Sequence, residues 1–169
     1  MTDGAQIQID NPVSAANSIG ADQVARGVSR LFARNGICCE REVSLKNGRR
    51  ADLMGIDAKG LVVIVEIKVA RSDLLGDTKW PDYLDYCDRF YWAVPPGLDR
   101  APLESAAYCP DTCGVIVADG YDAEILRQAS LTKLAPARRK VQIESLARVA
   151  MRRHTALLDP HCADIGAGG

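Results

Sequence analysis

Val24, Val28, Leu31 and Phe32 recur at helical spacing, while Arg26, Arg30 and Arg34 fall off that stripe and Asn35-Gly36 supplies a stop signal. The period predicts a helix over residues 21–35. The pattern then switches to alternation. Residues 37–45 read as a strand with Ile37, Cys39, Val43 and Leu45 on one face, and Asn47-Gly48 is a strong hairpin turn leading into a second strand over 49–57. The turn Asp57-Ala58-Lys59-Gly60-Leu61 opens onto a third strand, 61–69, whose run Val62–Val65 suits burial on both faces. Beyond Val69 the chain turns polar, and Pro81 fits the first turn of a helix over 81–88. Strands follow at 89–94, 113–118 and 123–126, separated by a loop over 98–112 with a helical turn near Leu103. A last helix, 138–158, turns Ile143, Leu146, Ala147 and Ala150 inward. The elements predict one α/β domain over 19–158, with a flexible polar arm at 1–18 and a disordered tail at 159–169.

The third strand poses a problem. Its apolar run continues into Glu66 and Lys68, charged residues that are rarely buried unless paired or bound to metal. The preceding turn fixes what they face. A three-residue hairpin loop favours a left-handed third residue, and Gly60 occupies that place. Asp57 then pairs with Leu61, and Asp52 falls opposite Glu66. Directly opposed carboxylates lie about 5 Å apart at Cβ and repel each other, more so when desolvated. Lys68 points to the same face as Glu66. A divalent cation between the carboxylates would relieve the repulsion, and oxygen ligands favour Mg²⁺ or Mn²⁺. The plainer alternative is an ion pair of Lys68 with Asp52 or Glu66, and a one-residue slip would separate the two acids.

Composition is that of a globular protein: 169 residues, 47% apolar and 25% charged, long enough for one real core. The apolar runs are strand-length, so no membrane association is expected, and residues 1–18 lack the pattern of a secretory signal. A cytoplasmic protein is expected, and its six cysteines are then reduced thiols. Cys109 and Cys113 form a CxxxC pair, but His154 and His161 lie too far along the chain to complete an evident zinc set. The net charge of −1 hides an asymmetry. Residues 124–155 carry eight basic and two acidic side chains, the rest 13 and 20.

Asp52, its spacer and Glu66-Ile67-Lys68 resemble the signature of the PD-(D/E)XK nuclease superfamily, with Ala51 at the proline position of its name. The order helix, three-stranded meander, helix, strand is similar to its restriction-endonuclease-like core, a mixed central sheet flanked by helices. More narrowly, "RRADLMGID", "VEIKVARSDLLGDTKWPDYLDYCDRFYWAVP" and "GVIVADGYDAEILR" resemble the MmcB family of bacterial DNA-repair proteins over roughly residues 20–155. The resemblance implies metal-dependent hydrolysis of DNA phosphodiesters by a bacterial enzyme working at the nucleoid. Asp52, Glu66 and the Ile67 carbonyl would hold Mg²⁺ or Mn²⁺, and Lys68 would orient or help deprotonate the attacking water. A further acid is common in the superfamily, and Asp22, Glu40 and Glu42 are the candidates here.

Arg49, Arg50, Arg71 and Lys79 flank these residues and could bind phosphates, as could a stripe of Arg138, Arg139, Lys140, Arg148, Arg152 and Arg153; solvated surface charge explains them equally well. Trp80, Tyr83 and Tyr86 could stack on bases, although their spacing beside Leu84 favours packing. Two functional readings follow. One is a Mg²⁺-dependent DNA endonuclease in repair, working alone or with a repair-protein partner. The other is a catalytically silent DNA-binding or protein-interaction module on the same fold. No separate DNA-reading domain is recognisable, and neither oligomeric state nor preferred DNA structure can be read from the pattern.

Overall fold

The computed structural model describes residues 19–162. The arm expected at 1–18 therefore lies outside the described residues, as does most of the expected tail; Pro160–Cys162 of that tail form a 3-10 turn. Six strands make one mixed sheet in sequence order: β1 (Cys38–Ser44), β2 (Arg50–Ile56), β3 (Val62–Ile67), β4 (Arg89–Val94), β5 (Gly114–Ala118) and β6 (Ala123–Arg127). The first three pair antiparallel, β3, β4 and β5 run parallel, and β6 returns antiparallel. Helix α1 (Ala21–Arg34) covers one face. The long helix α3 (Pro136–Leu158) and a 3-10 helix, Trp80–Tyr86, cover the other, so the protein has the expected α/β architecture of a mixed sheet between helical layers. No helix among the described residues is long and apolar enough to cross a membrane.

Each face carries its own core. Val24, Val28, Leu31 and Phe32 of α1 pack on Leu53, Val63, Val65 and Ile116, and the stripe expected from spacing is the buried one. On the opposite face Met54, Val62, Ile64, Phe90 and Trp92 meet Trp80, Tyr83 and Leu146. Trp80 lies edge-on to Trp92 with ring centroids 5.3 Å apart. Strand β3 is at the centre and every residue of it is buried, as its continuous apolar run requires. Close approach sets some positions outright. A Cβ on Gly27 of α1 would come within 2.3 Å of the Asp119 carbonyl oxygen, so glycine lets this helix settle on the β5–β6 turn.

Two local expectations are corrected, and one short helix comes without a stated expectation. Ile37 and Cys39 pack on the α1 face, whereas Val43 and Leu45 join the other core, so they do not share a face. Between the two pairs Glu42 adopts φ +50°, a left-handed conformation that interrupts the alternation. The helix expected at 81–88 is the 3-10 helix Trp80–Tyr86, because its buried Trp80 and Tyr83 are three residues apart and a three-residue turn stacks them. A six-residue helix, α2 (Arg71–Gly76), stands in the polar stretch after β3; only Leu74 in it is buried, and one anchor leaves no period to detect.

Candidate active site

The β2–β3 turn does what its sequence demands. Gly60 is left-handed (φ +77°), and the Asp57 carboxylate accepts hydrogen bonds from the Lys59 and Leu61 amides at 2.8 Å each. Asp57 N donates to the Leu61 carbonyl at 3.0 Å, and the pairs Leu53↔Val65 and Ile56↔Val62 continue that register. One step further along the same ladder, Asp52 faces Glu66. Asp52 Oδ2 accepts the Ile67 amide at 2.7 Å, which fixes the carboxylate at the end of β3.

Glu66 is 7% exposed and Lys68 9%, so the charges are inside the protein. Lys68 Nζ lies 3.1 Å from Glu66 Oε1 and 2.7 Å from Asp77 Oδ2. Glu66 Oε2 is buried with no hydrogen-bond partner among the described residues. Burial, and then the nearby Asp52 charge, push the Glu66 carboxyl up to about 7, with Lys68 offsetting only part of that rise. Burial likewise raises Asp52, against the pull of the Ile67 amide and Lys68. For Lys68 burial works downward, but the Asp77 hydrogen bond and the Glu66 and Asp77 charges outweigh it, so its affinity for the proton rises. Tyr83 donates to the Arg50 carbonyl at 3.0 Å, and burial beside the Glu66 charge raises its phenol as well.

Asp77 was not among the residues expected from sequence. It caps the C-terminal end of α2 nine positions beyond Lys68, and its Oδ1 accepts the Lys79 amide at 3.0 Å. The only available signal was a helix-stopping Gly76-Asp77 pair, which marks a turn rather than an ion pair. Of the three acids offered as a further carboxylate, only Glu42 comes near: the pairs Arg41↔Leu53 and Val43↔Ala51 set it opposite Asp52. Asp22 is instead paired with Arg41, and Glu40 with Arg153 at 2.6 Å.

The basic candidates divide. Arg49 pairs with Asp82 at 2.9 Å, Arg50 with Glu42 at 3.4 Å, and Arg71 with Asp99. Lys79, Arg148 and Arg152 are exposed and form no ion pair among the described residues. Within the basic stripe, Arg138 holds Asp85 at 3.0 Å and Arg153 holds the edge of β1 through Glu40 and the Glu42 carbonyl. Arg139 serves the fold, pairing with Asp88, which is 1% exposed and also accepts the Val62 and Leu134 amides at 2.8 Å. Trp80 and Tyr83 are core residues, not exposed stacking platforms. All six cysteines are free thiols. Cys109 is exposed and Cys113 buried, with its thiol pushed up to about 12 mainly by burial.

The profile of the MmcB-like DNA repair proteins matches residues 10–161. A solved structure, the SPO1766 protein of unknown function from Silicibacter pomeroyi, is 43% identical, with a TM-score of 0.74 over 82% of this chain and 90% of that one. A search of curated proteins returns no match.

Proposed function

We propose, on the premise that this chain belongs to the MmcB-like family of DNA repair proteins, that it is a metal-dependent nuclease of the PD-(D/E)XK kind, hydrolysing DNA phosphodiesters at Asp52, Glu66 and Lys68. The observation that carries this reading is the buried Glu66 carboxylate, one oxygen of which has no partner among the described residues while Asp52 faces it across the ladder. A buried orphan acceptor beside a second carboxylate costs stability unless something positive joins it.

The residues fit a hard divalent cation. Among the described residues no three acid, cysteine or histidine side chains converge as ligands, so the cation would have two carboxylates, Asp52 and Glu66, the Ile67 carbonyl, and otherwise water. Mg²⁺ is commonly held in this way, by one or two carboxylates with several waters retained, and Mn²⁺ accepts the same donors. When bound, the cation supplies Lewis-acid polarisation of the scissile phosphate and a more acidic water.

The chain's own groups do the rest. Asp52 is held in place by the Ile67 amide, and Glu66 must shed its proton, which its raised affinity makes the more demanding requirement. Lys68, fixed between Glu66 and Asp77, stays protonated. It therefore serves better as a fixed positive charge against the phosphate, orienting the nucleophilic water, than as the base that deprotonates it. Wild type and Lys68→Ala, incubated with flapped, nicked, branched and single-stranded DNA in Mg²⁺ or Mn²⁺, test the reading. Cleavage by the wild type alone supports it. DNA binding without cleavage anywhere in the panel, and melting unmoved by either metal, would instead make the protein a silent binding module.

A further inference from the structure

Strand β2 is not paired evenly on its two sides. β1 holds it as far as Arg50, whereas its pairs with β3 run from Ile56↔Val62 only to Leu53↔Val65. Beyond Leu53 two side chains stand where ladder bonds would be. The Asp52 carboxylate accepts the Ile67 amide at 2.7 Å, and the Tyr83 hydroxyl donates to the Arg50 carbonyl at 3.0 Å. The strand also turns over here. Ala51 belongs to the α3-side core and Leu53 to the α1-side core, although residues two apart share a face in a regular strand. β2 and β3 therefore fork at Asp52, and the backbone groups freed by the fork need other partners.

The 3-10 helix Trp80–Tyr86 supplies the hold. Asn47 Nδ2 donates to the Asp82 carbonyl at 3.2 Å, Arg49 Nε to the Asp82 carboxylate at 3.0 Å, and Tyr83 to Arg50, so the β1–β2 hairpin is tied to consecutive residues of one helix. The Asp82 contacts are at the surface. Tyr83 is 6% exposed, and its ring is stacked on Phe90 with centroids 6.0 Å apart, so its hydroxyl has little freedom. Burial, and then the charges of Glu66, Asp52 and Asp77, raise the phenol, which therefore stands among the acids of the site. A hydroxyl carries a single hydrogen. Given to the Arg50 carbonyl, it leaves Glu66 Oε2 without a donor among the described residues and open to a cation.

We propose that Tyr83 is the positioning residue of the carboxylate pair: its hydroxyl anchors Arg50 and so sets Asp52, two residues on, against Glu66 for a shared divalent cation. The inference rests on the nuclease reading for the cation and extends it to a residue outside Asp52, Glu66 and Lys68. Tyr83 acts through Asp52, so losing its hydroxyl loosens the site without removing a ligand. Groups that orient ligands in this way govern metal affinity nearly as strongly as the ligands themselves. The alternative role is packing alone, and phenylalanine would fill that role as well as tyrosine because the stack on Phe90 needs only the ring.

Tyr83→Phe removes the hydroxyl and keeps the ring. Tyr91→Phe is its control, because it loses a comparable bond, to Gln128 at 2.8 Å, in the α1-side core. Two readouts need neither DNA nor cleavage. In amide hydrogen exchange followed by NMR in EDTA, the Ile67 amide of Tyr83→Phe should exchange about tenfold faster relative to Val65, the scale of one lost hydrogen bond. Mn²⁺ affinity, read from the EPR signal of the free ion, should fall about tenfold, the low end for losing a group that orients a ligand. Tyr91→Phe should move neither. A merely structural loss would speed Ile67 and Val65 together and leave their ratio unchanged. A wild type that takes up no Mn²⁺ overturns the nuclease reading and this inference with it. A wild type that binds Mn²⁺, with Tyr83→Phe equal to it in affinity or in the ratio of Ile67 to Val65 exchange, overturns the inference alone.

Discussion

Replacing Glu66 by Gln should make the metal-free protein more stable at pH 8 than the wild type, and the gain should vanish in acid. In the folded protein this carboxyl titrates near 7, against 4.5 for an ordinary glutamate, because it is buried and faces Asp52. A folded pKa above the unfolded one means that the folded state holds the proton more tightly. Stability contributed by the protonated group is then complete below about pH 4.5 and is lost as pH rises through 7. A rise of this size corresponds to at most about 3 kcal/mol. Gln keeps the shape, cannot ionise, and can donate toward the Asp52 carboxylate, while Lys68 retains Asp77 at 2.7 Å. Denaturant melts in EDTA at intervals from pH 4.5 to 8 measure the difference. The wild type should fall relative to Glu66→Gln by about 1–3 kcal/mol across that window. Saturating Mg²⁺ at pH 8 should then restore the wild type, by about 2.7 kcal/mol at a hundredfold excess over Kd, and should do little for the variant. A gap that stays constant from pH 4.5 to 8 would show that Glu66 carries no stored repulsion. Indifference of both proteins to Mg²⁺ would leave an ordinary ion pair in place of a metal site.

Lys68→Ala should slow cleavage at least about a hundredfold while DNA affinity in EDTA changes little, since other cations remain near the phosphates; single-turnover cleavage beside anisotropy separates the two. Asp77→Asn should preserve the fold but release Lys68 from its closer carboxylate, reducing kcat more than it raises KM and lowering the pH at which the basic limb of the rate profile falls; an unchanged profile would make Asp77 a simple surface acid. Replacing both Arg148 and Arg152 by Gln should flatten the salt dependence of duplex binding by up to about 0.9 per lost phosphate contact, without sequence bias, and an unchanged slope would mean this end of α3 is only solvated. Asp88→Ala should cost about 3–5 kcal/mol in urea melts, because it strands Arg139 and two buried amides together; a loss below about 1 kcal/mol would show that the network is dispensable.

What the sequence determined by itself were the features set within a few residues of chain. The stripe of α1, the central burial of β3 and the register of its hairpin all follow from local periodicity and from the Asp57–Gly60 turn. Their deciding contacts span at most about one turn and two strands, so the opposition of Asp52 and Glu66 was legible in the local sequence. The tertiary structure decided everything that depends on a partner far along the chain. Asp77 reaches Lys68 only because α2 turns the chain back over the end of β3. The basic stripe of α3 separated into anchors and free charges according to which acids from other elements lay beneath it: Arg139 found Asp88, Arg153 found Glu40 across 113 residues, and Arg148 and Arg152 found none among those described. Glu42 flipped a strand that alternation predicted to be regular, because packing on two faces outweighed a weak local preference. A charged side chain reads the same in sequence whether it faces water or a buried carboxylate, and its energy differs by kilocalories between the two only once the fold has chosen its neighbours.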